Sequence, residues 1–273
     1  MVEAYGEGAR RAKEAGFDAV EVIASVGYVI AQFMSPLTNQ RTDEYGGSLS
    51  NRARFIVEVL REVRKRVGED FPISLRLSAE EFIKGGYTVE DIQPILPDFA
   101  EAGADMIHAS LGTHGSPAGI TSAPLAYEPG FNAWRAKKVK EAVNVPVIAV
   151  GRFTDPALAD EVIRRGEADL VAFGRQFLTD PDFLIKAREG RPEDIRKCIA
   201  CNQGCIERLM LGEGTIRCAT NPETGQETVY PQDAAAVRRN VWVVGAGPGG
   251  LTAAYEAARR GQDWKQRGLA DAY

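Results

Sequence analysis

The chain is poor in histidine and cysteine and has no run of like charge, and each shortage narrows what it can be. Only two histidines occur in 273 residues, His108 and His114, so imidazole chemistry has two possible positions. Lysine and arginine total 33 against 38 acidic residues, a formal net charge of −5, and no basic run stands out. Nucleic acid and anionic membrane surfaces are therefore poor partners. No apolar stretch reaches the roughly 18 residues that suggest a membrane span. Cysteine is confined to four residues. What remains is 44% hydrophobic and 26% charged, ordinary for a globular protein. A chain of this length can bury one large core, or one domain and a piece of another.

The four cysteines are not scattered. Cys198, Cys201, Cys205 and Cys218 follow a C-x2-C-x3-C-x12-C spacing. No secretory signal is read at the start of the chain, so the expectation is a cytoplasmic protein whose cysteines serve metal or redox chemistry rather than disulfides. A structural zinc usually takes two separated cysteine pairs. Here three thiolates crowd one turn-rich loop and the fourth arrives later, which suits a [4Fe-4S] cubane. Zinc and unliganded thiols are the alternatives.

Elsewhere one grammar repeats: a helix, a glycine-containing stop, then a short apolar strand. Residues 1–16 read as the end of a helix closed by Gly16. Strands are expected at 17–23, 72–78, 105–111, 145–151 and 169–174, with helical patterns between them. Such alternation predicts a parallel sheet covered on both faces. Ile56, Val59, Leu60, Val63 and Val67 mark the apolar face of a helix across 49–67. Asp155-Pro156 and Asp180-Pro181 each read as an N-cap followed by a first-turn proline. Pro94 and Pro97 predict a bend or break in the helical pattern between Thr88 and Gly103.

In parallel α/β architectures functional groups gather in the loops after the strands. After the first strand runs a long loop, 24–48, containing Gly27-Tyr28; after the third comes Gly112-Thr113-His114-Gly115. The fourth and fifth strands end in Gly151-Arg152 and Phe173-Gly174-Arg175. Glycine beside arginine suits a phosphate site, where backbone N–H groups approach closely and guanidinium supplies a clamp. Two solvent-facing arginines after tight turns are the plainer alternative.

Past the cysteines, 219–240 is polar and reads as a linker. A strand at 240–244 then leads into Gly245-x-Gly247-x-x-Gly250 and an alanine-rich helix to about Arg260. A buried strand before these glycines and a helix after them form a dinucleotide fingerprint, Gly249 included in the turn. A second strand ending in an acidic residue should follow, yet 261–273 reads as polar and non-strand-like. This last stretch is expected to be poorly anchored and unable to hold FAD alone.

Together these motifs resemble the bacterial 2,4-dienoyl-CoA reductase branch of the old yellow enzyme family, related to 2-enoate reductases and trimethylamine dehydrogenase. The resemblance runs from about residue 9 to about 260. It rests on Gly27-Tyr28-Val29-Ile30, the 39–48 segment from Asn39-Gln40-Arg41 to Gly46-Gly47-Ser48, Arg76-Leu77-Ser78, Gly151-Arg152, Gly174-Arg175, the four cysteines and the 243–251 glycine segment. It implies the last five strands of a (β/α)8 TIM barrel over residues 1–192. A [4Fe-4S] segment and linker would span 193–236, and the first βα unit of a Rossmann-like FAD/NAD(P)-binding domain 237–273. The expectation is a fragment truncated at both ends, with weak or no FMN binding of its own.

The resemblance implies FMN, [4Fe-4S], FAD and NAD(P)H as cofactors, with hydride passing to an activated C=C bond of a small acyl-CoA or enoate. Arg76 would sit near the flavin pyrimidine. Gly151, Arg152, Phe173, Gly174 and Arg175 would hold its phosphate end. Tyr28 would be the proton donor and His114 its partner near the substrate carbonyl. A donor at that carbonyl lowers the barrier to hydride addition, and tyrosine is a competent acid. Aromatic packing for Tyr28 and a backbone-bonded loop histidine are the structural alternatives. Single-domain ene-reductases of this superfamily often carry two polar ligands before Gly-Tyr. Ile23 and Val26 stand there instead, and argue against the usual enone-binding mode. An amine dehydrogenase of the same architecture and a non-catalytic electron-transfer subunit are the rivals. The oligomeric state is left open.

Overall fold

Five apolar runs, each preceded by a helix, become five parallel strands. The computed structural model describes residues 1–212, 214–229 and 234–267. The strands are β1 (Val20–Ala24), β2 (Ile73–Ser78), β3 (Met106–Ser110), β4 (Val147–Val150) and β5 (Leu170–Ala172). They lie in chain order, β1-β2-β3-β4-β5, and every neighbour pairs in parallel. Sequential order with helical crossovers is the arrangement of consecutive barrel units.

The connecting helices are α1 (Val2–Glu14), α2 (Val29–Met34), α3 (Leu49–Val67), α4 (Val89–Ile92), α5 (Leu96–Glu101), α6 (Ala133–Lys140), α7 (Pro156–Arg164), α8 (Arg175–Thr179), α9 (Phe183–Arg188) and α10 (Arg208–Leu211). Helix α3 starts where the Ser48 hydroxyl accepts the Asn51 N–H and stops at Gly68, whose φ of +80° few other residues adopt. Its expected apolar face is buried: Ile56, Val59, Leu60, Val63 and Val67 all join the core.

Strand alternation divides the sheet's two faces by chemistry. Val22, Ala24, Ile73, Leu75, Leu77, Ile107, Ala109, Val147 and Ala149 join the core beneath the helices. The alternate positions carry Glu21, Ser74, Arg76, Ser78, His108 and Ser110, a polar lining. Several of these groups bond one another: Glu21 accepts from the Ser74 hydroxyl at 3.1 Å and pairs with His108 Nδ1 at 2.9 Å, and Arg76 Nε reaches Ser110 Oγ at 3.3 Å, while His108 Nε2 has no partner among the described residues.

Three local expectations meet different outcomes. The break at Pro94 and Pro97 is present: α4 ends at Ile92, a 3-10 turn spans Gln93–Ile95, and α5 resumes at Leu96. Asp155 caps α7 as expected, accepting the Ala157 N–H at 2.9 Å. Asp180 Oδ1 accepts the Asp182 N–H at 3.2 Å, as a cap at Pro181 would, while its Oδ2 takes Lys186 Nζ at 2.7 Å and the Arg196 N–H at 2.9 Å; the regular helix α9 begins two residues later than expected, at Phe183. The long loop after β1 also contains helix α2, too short and uncapped by any side chain to announce itself.

The chain divides into two compact units, Met1–Asn221 and Pro222–Tyr273. In the second, β6 (Asn240–Val244), α11 (Pro248–Arg259) and β7 (Asp263–Arg267) form a parallel β-α-β unit. Strand β7 corrects the expectation of non-strand character after Gly261. Its polar sequence hides it, but its backbone pairs with β6 from Asn240↔Asp263 to Val244↔Arg267. It ends on Arg267, where an acidic residue would be expected for a ribose. Residues 268–273 of that expectation lie outside the described residues. Gly250 packs so closely that a Cβ would lie 2.1 Å from the Gly245 carbonyl oxygen. Val244 is 89% exposed, so the unit leaves apolar surface uncovered. No helix among the described residues is long and apolar enough to cross a membrane.

Candidate active site

The loops after β1 and β3 meet. Val26 bridges Thr113, and a Cβ on Gly27 would lie 2.6 Å from the Thr113 hydroxyl, so glycine is needed for that approach. The contact brings Tyr28 and His114 together, ring centroids 5.1 Å apart and nearly perpendicular at 88°. Tyr28 is 54% exposed and His114 is exposed as well, so both face space a substrate can enter. Val26 has φ +61°, a costly conformation for a β-branched residue. Its N–H donates to Ser78 Oγ at 3.1 Å, and Ser78 donates to the Gly112 carbonyl at 2.7 Å. Strain is thus held at the residue leading into Gly27-Tyr28.

A cavity opens at the C-terminal ends of β2 to β5. Arg76, Gly151, Arg152, Gly174 and Arg175 all line it, so five of the six expected flavin-side residues converge. Phe173 differs: its ring packs against Phe153 and Phe183, with centroids at 6.1 and 4.9 Å. Gly151 has φ +151°, and a Cβ would lie 2.9 Å from Asn132 Cβ. Asn132 is fully buried and donates to the carbonyls of Ala109 and Val150, at 2.9 and 3.0 Å, tying β3 to β4 beside the cavity.

The electrostatics call for an anion. Arg152 donates from Nη1 to the Leu125 carbonyl at 3.0 Å, while its buried Nε has no partner among the described residues. Burial, then the nearby Arg175 charge, lowers the Arg152 pKa. Two guanidinium groups and an unsatisfied buried donor fit a phosphate, which would neutralise both charges and take that N–H.

The four cysteines line a second, smaller cavity with Arg175 and Thr179. Ala200 and Asn202 adopt positive φ, +53° and +62°, and fold the loop back on itself. A Cβ on Gly204 would lie 2.7 Å from the Arg217 carbonyl, and the Arg217 N–H donates to the Gly204 carbonyl at 2.6 Å. That close pairing carries Cys218 back towards the other three. Buried Gln176 pins the loop, accepting the Cys198 N–H at 2.9 Å and donating to the Arg196 carbonyl at 2.9 Å. Burial pushes the Cys205 thiol pKa up. At Cys218 burial acts the same way, but hydrogen bonds from Thr179 and Thr220 and the backbone N–H groups outweigh it, and the pKa falls.

All four cysteines are free. Among the described residues no three His, Cys, Asp or Glu side chains converge as a single metal ion requires. Tetrahedral zinc would draw its sulfurs to within about 4 Å of one another. A cubane takes one thiolate per iron and asks for a wider nest. Cys198 and Arg175 line both cavities, so the two sites share a wall.

The profile of the NADH:flavin oxidoreductase / NADH oxidase family matches residues 1–194. The chain belongs to that family. Its members include the NADH oxidase of Thermoanaerobacter brockii, 44% identical over 262 residues, which cover 96% of this chain and 40% of that protein. Among solved structures, 2-naphthoyl-CoA reductase in complex with 2-naphthoyl-CoA superposes with a TM-score of 0.92 at 39% identity, covering 97% of this chain and 40% of that one. Histamine dehydrogenase from Rhizobium sp. 4-9 follows at 0.86 and 34%, covering 99% and 40%. The chain thus spans about 40% of the length of these relatives. The family resemblance read from the motifs is borne out, and the parallel α/β sheet matches these oxidoreductases.

Sequence reasoning missed several residues that build the site. Asn132, Gln176, Asn202 and Glu81 are polar side chains whose partners lie far away in sequence, and no local pattern marks them. The Gly-Arg pairs were readable because glycine and arginine adjoin directly after a strand.

Proposed function

We propose that this chain carries the flavin- and cluster-bearing part of an NAD(P)H-dependent reductase acting on activated C=C bonds of acyl-CoA thioesters or enoates. The observation that supports it best is the shared wall: Cys198 and Arg175 border both the anion-seeking cavity and the cysteine nest. In this reading Cys198, Cys201, Cys205 and Cys218 hold a [4Fe-4S] cluster. Arg152 and Arg175, with Gly151 and Gly174, hold the FMN phosphate, and Arg76 faces the pyrimidine. The glycine turn at Gly245, Gly247, Gly249 and Gly250 begins the FAD/NAD(P)H module. When bound, these groups carry electrons from nicotinamide and supply hydride. In this reading 1–192 is the flavin domain, 193–236 the cluster segment with its linker and 237–273 the nucleotide module; the boundary between the two compact units, after Asn221, falls inside the middle segment.

The chain's own residues do the rest. His114 donates a hydrogen bond to the substrate carbonyl, stabilising the negative charge that hydride addition builds there. Tyr28, edge-on to His114 and open to solvent, delivers the proton to the adjacent carbon. Apolar Ile23 and Val26 leave room for a bulky acyl group. The similarity to an amine dehydrogenase supports a second reading, oxidation of an amine. That reading needs an aromatic cage for the cation. Among the described residues the ring contact of Tyr28 is with His114.

The test is the natively purified protein, assayed anaerobically for flavin, iron and sulfide. Turnover with NADH and NADPH is then measured against dienoyl-CoA, aryl-CoA and enoate acceptors. Cofactor-loaded protein that oxidises neither nicotinamide with any such acceptor, yet transfers electrons from an amine, would sink the reductase reading.

A further inference from the structure

Glu81 lies just beyond β2 and is only 3% exposed. Its Oε2 accepts the Ser35 hydroxyl at 2.9 Å and the Tyr87 N–H at 3.2 Å. Ser35 is the C-cap of α2, the helix whose N-cap is Tyr28. The main chain of Glu81 reaches the other way. Its carbonyl oxygen accepts the Ser116 hydroxyl at 2.5 Å, and Ser116 Oγ in turn accepts the Thr113 N–H at 2.7 Å. One residue earlier, the Glu80 carbonyl accepts the Gly112 N–H at 2.7 Å. His114 sits inside this closed loop.

A carboxyl buried here is costly, because the desolvated charge has no cation in contact. Arg52, whose charge acts on Glu81 through space, is engaged instead with the Met34 carbonyl at 2.9 Å and the Gly47 carbonyl at 2.5 Å. An apolar residue would fill the same space more cheaply. What it could not do is tie α2 to the His114 loop.

We propose that Glu81 is a positioning residue that sets the Tyr28–His114 geometry, its side chain fixing the far end of α2 and its backbone fixing the β3 loop. The inference rests on the roles proposed for Tyr28 and His114. Glu81→Gln keeps an oxygen acceptor for Ser35 and Tyr87, whereas Glu81→Ala removes it.

Two measurements test it in the natively purified protein. The first is the nuclear Overhauser contact between the Tyr28 and His114 rings, easily assigned with only two histidines present. It is lost in Glu81→Ala and kept in Glu81→Gln. Ser35→Ala, which cuts the α2 tie and the local Leu37 N–H bond to Ser35 Oγ but leaves Glu81 in place, loses it too and covers the case in which Glu81→Ala does not fold. The second is a split of half-reactions. Glu81→Ala slows reduction of the C=C acceptor by about 10-fold or more, as a displacement near 1 Å does. Flavin reduction by nicotinamide stays within about twofold, and Glu81→Gln restores the slow step. A ring contact unchanged in both Glu81→Ala and Ser35→Ala, or both half-reactions falling together in Glu81→Ala, overturns the proposal. A parent protein that reduces no C=C acceptor sinks the reductase reading instead, and leaves the ring-contact test standing.

Discussion

Arg175 donates from Nη1 to the side-chain oxygen of Asn202 at 2.5 Å, and that bond joins the rim of the anion-seeking cavity to the cysteine loop. The same guanidinium holds the Ala123 carbonyl at 2.8 Å, and Asn202 Nδ2 holds the Ser122 carbonyl at 2.7 Å. Both residues therefore grip the end of the 3-10 turn Pro117–Ser122, at two successive carbonyls. Asn202 does this from φ +62°, a conformation asparagine tolerates better than most residues.

Asn202→Gly and Asn202→Ala should separate the two contributions. Both lose the Arg175 and Ser122 bonds. Alanine also bears the left-handed backbone, about 1 kcal/mol worse than glycine. Chemical denaturation should rank the proteins parent, glycine variant, alanine variant, and iron content after anaerobic purification should fall in both variants. Parent-like iron in both would show that the Arg175 bond does not shape the nest.

Arg152→Ala tests the cavity's appetite for phosphate. Arg152 already sits at φ +55°, so alanine inherits the same backbone penalty and the comparison isolates the guanidinium. Losing a charge-assisted bond of about 1.5–3 kcal/mol should weaken FMN binding roughly 10- to 100-fold. Riboflavin, which lacks the phosphate, should bind the variant and the parent alike. Fluorescence titration with both ligands checks this; an equal loss for riboflavin would move Arg152 away from the phosphate.

What the sequence made legible follows from how locally each feature is specified. The five main strands are short apolar runs behind glycine stops, and the structure has all five within a few residues. Asp155 caps its helix with Oδ1 while its Oδ2 pairs with Lys197 Nζ at 2.7 Å. Asp180 carries the same local pattern and divides its carboxylate in the same way, Oδ1 to the Asp182 N–H and Oδ2 to Lys186 and the Arg196 N–H, but the regular helix begins only at Phe183. Strand β7 was illegible because Asp263, Lys265 and Gln266 carry no apolar period, and its pairing comes from β6 rather than from its own composition. Tyr28 and His114 stand 86 positions apart, so only a resemblance to a family could join them in advance. Glu81 was beyond reach altogether: a burial that its residue type opposes, with partners 46 residues before it and 35 after.

Tyr28→Phe keeps the edge-on packing against His114 and removes only the hydroxyl. If tyrosine supplies the proton, the variant should reduce the C=C acceptor about 100-fold more slowly or worse. Flavin reduction by nicotinamide should remain intact. Stopped-flow traces of the two half-reactions distinguish them, and an equal loss in both would remove Tyr28 from proton delivery.

Asp180 gives a prediction about acid. Burial pushes its pKa up, but the Lys186 ammonium and the N–H groups of Arg196 and Asp182 outweigh that, and the folded-state value lies below the usual 3.8. A carboxyl with a depressed folded pKa binds its proton more readily when the chain is unfolded. Its stabilisation is therefore complete above about pH 4 and is lost as pH falls through the folded value. Asp180→Asn keeps one oxygen acceptor but abolishes the ion pair with Lys186, so it should cost about 2–3 kcal/mol at pH 7. The deficit should narrow on acidification below pH 4, where the parent loses the same charge. Denaturant midpoints of both proteins from pH 7 down to pH 3 measure it. A deficit that stays constant across that range would mean that Asp180 acts through shape and hydrogen bonding alone, with its charge contributing nothing to the anchoring of the Arg196–Cys198 segment.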